Sequence, residues 1–525
     1  MMIIDPYRFG GGGDAPQAPF FTFKTKFNGS VSFSIVQSGG ELATWFMGDG
    51  TVYEDTNSVT HVYADTSEKT VSVSVEAFTD VTGLGSFADK DITEIQFSEL
   101  SSLGGSILFN ANAELATAIL PNSSTGTIGF MYFQDCTALT ALDISGFSLF
   151  NSSRLYFHNL PNLTSLTLPA ADSCTGSNFF HFYCYNTAIA GNLDLRFLNG
   201  ITLNNRNRFF INDNPNLTGL NIPTKTEGNG FDRFLAYNND LTGTLDLSAM
   251  QRTGGLFRLW DFHGNANLTE IKLPDNSATI AINIYAYNCN LTGVLDGSMF
   301  KAGNILMNNN PNLTEIREFA AGSVGSFDAS DCDLTGMLSQ SNYKIRNLGT
   351  FIANNNQNLT GVLFGEAAIG PVRVIGFENC NLSVLDLSPI GPQCNAASFA
   401  CSGNSNLETL TFANGPRLLT GGAGAPFRLT DFQGCNISTT NFNVLAATNW
   451  PTVACRVLFD GNALSAAEVN KILVSLDATA TLGDPNTDID ISGGTNAAPD
   501  ATSGGIDGVA AKASLIGKNF NVTTN

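Results

Sequence analysis

Three-residue phrases of the Asn-Leu-Thr kind recur along the chain and constrain its fold more than any other feature. The repeating Leu or Ile stands at intervals of 21 to 30 residues. These anchors are Ile92, Leu115, Leu139, Leu163, Ile189, Leu217, Leu241, Leu268, Leu291, Leu313, Leu334, Leu359, Leu382, Leu407, Ile437 and Leu464. A period of this length predicts a stack of supersecondary units, each burying its apolar face against its neighbours.

Each anchor follows a short strand pattern. In FDRFLAYNNDL, Phe234 and Ala236 alternate as strand positions and Asn239 stands two residues before Leu241. This arrangement resembles the leucine-rich repeat consensus L-x-L-x-x-N/C-x-L, with Phe and Ala often replacing Leu. The resemblance implies a mainly β fold, a leucine-rich-repeat solenoid of about 16 repeats over residues 83–464.

Two repeat types alternate between about Leu217 and Ile437. Asn239 stands two residues before its anchor Leu241, whereas Asn265 stands three residues before Leu268, so the larger unit is about fifty residues. The buried turn of each repeat needs hydrogen-bond partners, and an Asn amide can both donate and accept there. Buried thiols at the same place are interpreted as ladder or turn residues rather than metal or redox groups: Cys136, Cys289, Cys332, Cys380 and Cys435.

The NLT triplets also match a glycosylation acceptor, but the repeat geometry already explains them. The chain contains ten Cys without a CxxC pair, and we expect free thiols rather than disulfides or a metal site.

Residues 20–82 alternate strongly and are expected to form a β-sandwich. The segment resembles a PKD-type domain, whose signature is W-x-F-G-D-G-T with a later H-x-Y and T-V-x-V. Met47 replaces the usual Phe, and the matching residues are Trp45, Gly48, Asp49, Gly50, Thr51, His61, Tyr63, Thr70 and Val71. The resemblance implies a spacer or binding module, with His61 as a packed core residue rather than a catalyst.

Within residues 1–19 a short apolar and aromatic segment is followed by a stretch with four glycines and two prolines, the composition of a tether. The segment resembles the leader of phage virion proteins, which implies docking into another structural protein through Ile3, Ile4, Tyr7 and Phe9. A disordered tail is the alternative. The segment lacks the basic and apolar regions of a secretory signal.

Residues 465–525 are expected to form a small α/β cap. LSAAEVNKILVSLD and GVAAKASLIGK have helical character, and DIDISGG and NFNVTTN are strand-like. SGGTNAAP followed by NFNVTTN resembles the closing module of leucine-rich-repeat proteins common in bacteriophage and Bacteroidetes-type sequences.

The amino-acid composition limits the classes of molecule that the protein is expected to bind. With 25 Lys+Arg against 46 Asp+Glu, a net charge of −21 repels nucleic acid and anionic membrane surfaces. No apolar run is long enough to span a bilayer. No catalytic motif stands in a suitable context, so we expect neither an enzyme nor a cofactor; a glycosidase pair such as Asp213 and Asp261 is the alternative.

Residues between the buried strand positions are expected to point to the concave side of the solenoid. Aromatic and polar side chains concentrate there over about 130–290, at Tyr132 and at the candidate ligand-binding residues Tyr156, His158, Tyr183, Tyr185, Phe210, Tyr237, Asp261, His263, Tyr285 and Tyr287. Such residues suit a glycan or a polar protein epitope. The alternative is the ordinary preference of strands for aromatic residues.

Together these features favour a bacteriophage virion protein, a fibre or head-decoration component, made in the host cytoplasm without a signal peptide. Its partners would be other virion proteins through the N-terminus and a host-surface glycan or protein. A homo-oligomer is compatible with a fibre, although no heptads specify one. A bacterial surface adhesin or interaction protein is the alternative, and a polysaccharide-acting enzyme comes third.

Overall fold

The structure is a computed structural model, and its description excludes several segments. The described residues are 20–38, 42–77, 81–178, 180–203, 207–224, 231–249, 259–274, 282–298, 302–317, 323–340, 344–345, 350–364, 374–390, 398–411, 429–440, 456–480 and 487–525. They divide into two compact units. The first comprises the described residues up to Ser177 with Asn186–Ile189, and the second comprises Asn178–Tyr185 with the described residues of Ala190–Asn525. The predicted docking residues Ile3, Ile4, Tyr7 and Phe9 lie outside the described residues.

The first unit begins with antiparallel strands whose alternating residues form a core. The strands are Phe20–Thr25, Gly29–Gln37, Thr44–Phe46, Val52–Tyr53, Ser58–Tyr63, Lys69–Ser74 and Val81–Leu84. Phe23 pairs with Val71 across one sheet, and Val31 pairs with His61 across another. Phe23 and Phe33 meet edge to face at 4.7 Å between ring centroids. The strands expected from the period-two pattern are confirmed.

His61 is buried in this part of the first unit and held by polar neighbours. Its Nε2 lies 2.8 Å from Asp49 Oδ2, and its Nδ1 lies 3.2 Å from the Tyr53 hydroxyl. Its ring contacts Tyr63 at 4.5 Å. The interpretation of His61 as a packed residue is therefore confirmed.

The first repeats share a core with these strands. Phe20–Thr25 also pairs with Ile92–Gln96, which pairs in parallel with Thr117–Ile119. The Phe87 ring lies 5.0 Å from that of Phe23 and 5.2 Å from that of Phe109. The expected boundary between residues 82 and 83 falls inside the strand Val81–Leu84 and stays a prediction.

Both units contain a ladder of parallel strands, one or more from each repeat. In the first unit the strands are Gly105–Leu108, Ser124–Tyr132, Phe147–Tyr156 and the start of Thr175–Asn178. In the second they are His181–Tyr183, Ile201–Leu203, Asn207–Phe210, Phe231–Leu235, Leu259–Asp261, Ile282–Tyr285, Ala302–Leu306, Ser326–Asp328, Thr350–Ile352, Val374–Gly376, Ser398–Ala400, Leu429–Asp431, Arg456–Leu458, Asp488–Ile491 and Asn521–Thr524. This parallel β-solenoid confirms the predicted fold class.

A second set of short parallel strands joins repeats in twos. The pairs are Ala141–Asp143 with Ser165–Thr167, Gly191–Asp194 with Leu217–Asn221, Thr242–Asp246 with Asn267–Lys272, Thr292–Asp296 with Asn312–Arg317, Ser323–Val324 with Lys344–Ile345, and Thr335–Gln340 with Asn358–Phe364. Val384–Asp386, Thr409–Thr411 and Thr439–Thr440 form a group of three. The pairs that begin at Thr242, Thr292 and Thr335 each join a repeat with the shorter turn to the longer one after it, which supports the fifty-residue unit.

The buried Asn ladder is confirmed, and its geometry explains why two turn lengths alternate. The Asn356 side chain donates to the carbonyls of Ala329 and Ala353, both at 2.9 Å, and its Oδ1 accepts the Leu334 N–H at 3.0 Å. In its own longer turn, the Leu359 N–H donates to the Asn356 carbonyl. A short turn lacks that internal bond, so its anchor N–H requires the Asn of the following repeat.

The Cys residues occupy the same ladder with fewer bonds. Cys332 Sγ donates to the Met307 carbonyl at 3.3 Å, and Cys380 Sγ donates to the Ala353 carbonyl at 3.1 Å. The eight Cys of the described ranges are all buried and none of them forms a disulfide there, and burial raises the pKa of the Cys332 thiol to about 12. A thiol suits the short repeats because it fills the space and satisfies one carbonyl. Their interpretation as ladder residues is confirmed.

The Asn and Thr side chains of the NLT phrase form hydrogen bonds on the outside of the turn. Thr314 Oγ1 donates to the Gly293 carbonyl at 3.0 Å, and Asn312 donates to Asn290 Oδ1 at 2.7 Å. One residue per turn also has a positive φ, and it is usually Asn, Asp or Gly because these tolerate the left-handed region. Of these, Asn355 donates to Asp331 Oδ1 at 2.8 Å and Asn379 donates to Asn355 Oδ1 at 3.1 Å.

The four predicted elements after residue 465 are confirmed. Helix α1, Ala466–Thr479, begins after Ser465, whose hydroxyl accepts the Glu468 N–H, and helix α2, Gly508–Gly517, begins after Asp507. The apolar residues Val469, Ile472, Leu473 and Leu476 of α1 are buried. The strands Asp488–Ile491 and Asn521–Thr524 extend the ladder. Short 3-10 turns occur at Arg196–Gly200, Ser388–Ile390 and Ser503–Gly505.

Candidate binding face of the parallel ladder

Three columns of side chains cover the outward side of the ladder in the second unit. The register places Arg208 and Arg233 in a first column, and Phe210 and Leu235 in a middle column. The third column lies two residues beyond the middle one in each repeat, where Tyr237 and His263 receive hydrogen bonds at their carbonyls from the neighbouring turn. Successive strands therefore hold three side chains from each repeat on one surface.

The candidate residues occupy the middle and third columns. In the second unit Tyr183, Phe210, Asp261 and Tyr285 belong to the middle column in successive register, with Leu235 between Phe210 and Asp261. The third column contains Tyr185, Tyr237, His263 and Tyr287. In the first unit Tyr156 lies opposite Tyr132, and His158 follows two residues later. Asp261 is buried, and the other nine candidates are half-buried.

Many of these rings stack on one another. Tyr183 lies 4.5 Å from Phe210 at an interplanar angle of 5°. His263 lies between two tyrosines, 4.7 Å from Tyr237 and 4.4 Å from Tyr287, with angles of 11° and 7°. In the first unit Tyr132 and Tyr156 stack at 4.5 Å and 4°.

The stacking changes what the rings can offer a ligand. A ring between two others, such as that of His263, has both faces covered and presents its edge and polar atoms. The outer edge of the stack therefore offers phenol hydroxyls and imidazole nitrogen in a row, instead of flat platforms. Recognition there would be by hydrogen bonds, with ring faces available only at the ends of a stack.

His263 is held in place by Asp261. Its Nδ1 lies 2.5 Å from Asp261 Oδ1, which also accepts the His263 backbone N–H at 3.3 Å. Burial raises the pKa of Asp261, and the hydrogen bond from His263 opposes this effect. Burial also raises the pKa of Tyr237 and Tyr287, and it lowers the pKa of His158 in the first unit. At neutral pH the tyrosines therefore remain neutral hydrogen-bond donors.

Asp213, considered as the partner of Asp261 in a glycosidase pair, has a local structural role. Its φ is 56°, and its carboxylate accepts hydrogen bonds from Asn238 at 3.0 Å and Asn212 at 2.6 Å. It belongs to the outer Asn and Asp ladder of the turns. The expectation that the chain is not an enzyme stays a prediction.

Within the part of the chain that the structure describes, no group of three or more His, Cys, Asp or Glu could hold a metal ion. No helix among the same residues is both long and apolar enough to cross a membrane.

Comparison with known proteins supports the repeat architecture. Residues 63–191 match the family described as BspA type leucine rich repeat region, in six copies. The match begins within the antiparallel strands of the first unit and covers the first repeats. Over these residues the chain is similar to leucine-rich repeats of this type. No curated protein matches it.

The parallel ladder of the second unit also exposes basic residues that the sequence analysis did not single out. His181, Arg208 and Arg233 occupy consecutive places in the first column. The sequence carried a signal, because His181 and Arg208 stand two residues before the candidate residues Tyr183 and Phe210. Two arginines side by side are notable in a chain with 25 Lys+Arg and 46 Asp+Glu.

Proposed function

We propose that this protein is a non-enzymatic attachment protein that binds a host-surface glycan or protein through the aromatic part of its ladder. The observation that carries the proposal is the row of stacked rings Tyr237, His263 and Tyr287, whose polar edges lie side by side on one surface. A repeat-based surface is well suited to interaction because it extends over many neighbouring strands.

The support beneath this surface favours a preformed site. Asn239 and Asn265 tie each turn to its neighbour by hydrogen bonds to the Ile211 and Ala236 carbonyls, at 2.7 Å and 2.9 Å. The rings therefore stand on a backbone whose spacing the Asn ladder fixes. Preorganised side chains lose little conformational entropy when a ligand binds.

We further propose that the protein belongs to a bacteriophage virion, as a fibre or head-decoration component. The tether at residues 1–19 and the closing module at 465–525 resemble virion sequences, and residues 20–82 resemble a PKD-like spacer. The N-terminal segment would bind another virion protein, and the solenoid would contact the host. The bacterial adhesin stays the alternative.

Adsorption to host cells tests the binding face. Tyr237→Ala together with Tyr285→Ala should weaken adsorption about tenfold, because each loss removes a ring and a hydroxyl from the surface. A matched control, Ile352→Ala with Gln433→Ala, changes half-buried residues of the same ladder outside the aromatic part and should adsorb normally. Unchanged adsorption of the tyrosine variant, with its melting temperature retained, would reject the face.

Mass spectrometry of purified phage particles tests the location separately. We expect the chain to be present in virions at a fixed ratio to the capsid proteins. Its absence from particles, together with exposure on bacterial cells, would replace the virion hypothesis with the adhesin.

A further inference from the structure

Arg208 and Arg233 lie directly opposite each other in the ladder of the second unit, and His181 lies opposite Arg208 on the other side. Adjacent strands of a sheet are about 4.8 Å apart, so two guanidinium groups stand on neighbouring rungs. Like charges placed opposite each other are destabilising. An arrangement that costs stability in the free protein points to an anion that relieves it.

The same column contains a contrasting pair. Arg456 lies opposite Asp488, with 3.7 Å between Nε and Oδ2. Elsewhere Arg317 contacts both Glu315 and Asp296, at 3.0 Å and 2.9 Å. These arginines have carboxylate partners within the chain, which is the usual state of a surface arginine in an acidic protein.

The charges at Arg208 and Arg233 are less completely matched. Arg208 Nε is buried without a hydrogen-bond partner among the described residues, and the nearest carboxylate oxygen, on Asp232, is 3.9 Å away. Within the same described part of the chain, Arg233 has no carboxylate within ion-pair distance. Among the described residues, Arg208 therefore has one distant carboxylate within ion-pair range, and Arg233 has none.

A bulge in the strand Phe231–Leu235 produces this arrangement. The register runs from Asn207 opposite Phe231 to Arg208 opposite Arg233, so Asp232 is the extra residue. Its carboxylate is buried beside Arg208. Bulges redirect side chains and often lie next to functional sites. Here the bulge places Asp232 beside Arg208 and keeps Arg233 in register on the outward side.

The neighbours of the two arginines indicate what carries the anion. Phe210 follows Arg208 by two residues, with Tyr183 stacked on it, and Tyr237 is in the third column of the Arg233 strand. Both strands are internal to the ladder, so a peptide cannot add to a sheet edge here. Recognition must use side chains: guanidinium forks for a planar anion, and hydroxyls and ring edges for a polyhydroxyl chain.

We propose that Arg208 and Arg233, with His181 beside them, bind a carboxylate or sulfate group of an acidic glycan. This inference rests on the proposed binding function of the ladder and specifies the ligand as anionic. The guanidinium groups contact the anion, Asp232 positions Arg208, and the neighbouring tyrosine hydroxyls bind sugar hydroxyls.

The test uses the full chain and immobilised polysaccharides in moderate salt. Polygalacturonate carries carboxylates, dextran sulfate carries sulfates, and neutral dextran carries neither. Wild-type protein should bind at least one acidic polymer and not neutral dextran. Arg208→Gln with Arg233→Gln should lose about tenfold or more in affinity, the scale of one charge-assisted hydrogen bond.

Two single variants refine the result. Arg233→Lys keeps the charge but loses the fork, and should bind between wild type and Arg233→Gln. Arg456→Gln removes the same charge from the same column where Asp488 is the partner, and should bind like wild type. If the double variant does not fold, as judged by circular dichroism, Arg233→Gln alone carries the comparison.

Three results would overturn the inference: binding that ignores the Arg208 and Arg233 changes, an equal loss in Arg456→Gln, or equal affinity for neutral dextran. Stronger binding to poly-glutamate than to either polysaccharide would assign the site to an acidic protein instead. Loss of adsorption in the tyrosine variant without any dependence on the arginines would retain the proposed function and reject only the anionic ligand.

Discussion

Two regions of the second unit present different surfaces on the same ladder. The aromatic region comprises the strands from His181–Tyr183 to Ile282–Tyr285 with the third-column residues that follow them, and the acidic region comprises those from Ser326–Asp328 to Asp488–Ile491. In the acidic region the carboxylates have partners within the ladder. Glu378 accepts hydrogen bonds from Asn354 at 2.8 Å and Ser402 at 3.3 Å, and Asp460 accepts one from Gln433 at 2.6 Å.

Among the described residues of the aromatic region, fewer of the charged side chains have hydrogen-bond or ion-pair partners within the ladder. Asp261 and His263 are partners, but among the described residues Arg208 has only one carboxylate within ion-pair distance, at 3.9 Å, and Arg233 has none. The backbone is the same parallel ladder in both regions. The difference teaches which side chains of a repeat protein are candidates for binding. They are the polar and charged side chains that find no hydrogen-bond or ion-pair partner in the neighbouring repeats.

The largest expected effect tests whether the two regions share one scaffold. Asn265→Ala in the aromatic region and Asn356→Ala in the acidic region each remove three donated bonds and one accepted bond. Because each unsatisfied buried group costs about 1–3 kcal/mol, both variants should lose several kcal/mol. Urea unfolding, with hydrogen exchange to follow the individual repeats, measures the loss.

Cys332→Ala is the control for this pair, since the thiol donates to one carbonyl at 3.3 Å from a position otherwise like that of Asn356. It should lose clearly less stability than either Asn variant. The two Asn variants should lose similar amounts of unfolding free energy. If their losses differed from each other by more than they differ from the loss in Cys332→Ala, the hypothesis of a shared scaffold would be wrong.

An effect of intermediate size is expected in the pH dependence of stability. It should differ between Asp431 in the acidic region and Asp261 in the aromatic region. Burial raises the pKa of Asp431, and Glu378 and Asp460 add to this, against the Gln433 N–H and Arg456. Folding therefore favours the protonated form. The protonated Asp431 carboxyl contributes its full stabilisation at pH values below its pKa in the unfolded chain, near 3.8. This contribution is lost as the pH rises through the higher pKa of the carboxyl in the folded protein.

Asp431→Asn should consequently stabilise the protein at pH 7 by about 1 kcal/mol, which is the usual scale of a single polar substitution. This gain in stability should become smaller as the pH is lowered towards pH 3.5. Asp261→Asn should show a smaller gain or a loss, because the carboxylate also binds His263 at 2.5 Å. Thermal unfolding at both pH values is the measurement, and a gain in Asp431→Asn that grew on acidification would contradict the assignment.

The smallest effect concerns the outer turn ladder, which both regions share. Asn238 and Asn355 have φ values of 52° and 61°. Glycine adopts this conformation freely, which offsets the lost side-chain bonds, so Asn238→Gly and Asn355→Gly should each change stability by less than about 0.5 kcal/mol. Asn355→Ala should cost about 1 kcal/mol or more. Equal melting temperatures for the Gly and Ala variants would count against a role for the backbone conformation.

Much of this fold could be predicted from the sequence because the period, the alternating strand residues and the buried Asn and Cys positions are local patterns. The outer turn ladder was missed, although the signal was present: Asn, Asp or Gly directly precedes the buried residue, as in Asn288 before Cys289 and Asp331 before Cys332. The reason for two turn lengths could not be read from one repeat, because the bond that explains them joins two repeats.

The alternation of buried and half-buried residues along each strand could be predicted, since side-chain direction follows the period of two. The chemistry of the candidate face was less predictable. Ring stacking depends on the spacing and register of adjacent rungs, which the sequence does not state. The opposition of Arg208 and Arg233 depends on the bulge at Asp232, because strict alternation from Asn207 and Phe231 would have placed different residues opposite each other.

The alternation of turn lengths also limits how such a chain can change in evolution. The N–H of Leu334 depends on Asn356 in the next repeat, so removing that repeat alone would bring Cys380 to a place where an oxygen is required. Removing a short and a long repeat together restores every partner. Gene duplications and deletions in this array should therefore survive selection in steps of two repeats, and homologues of different length should differ by even numbers of turns.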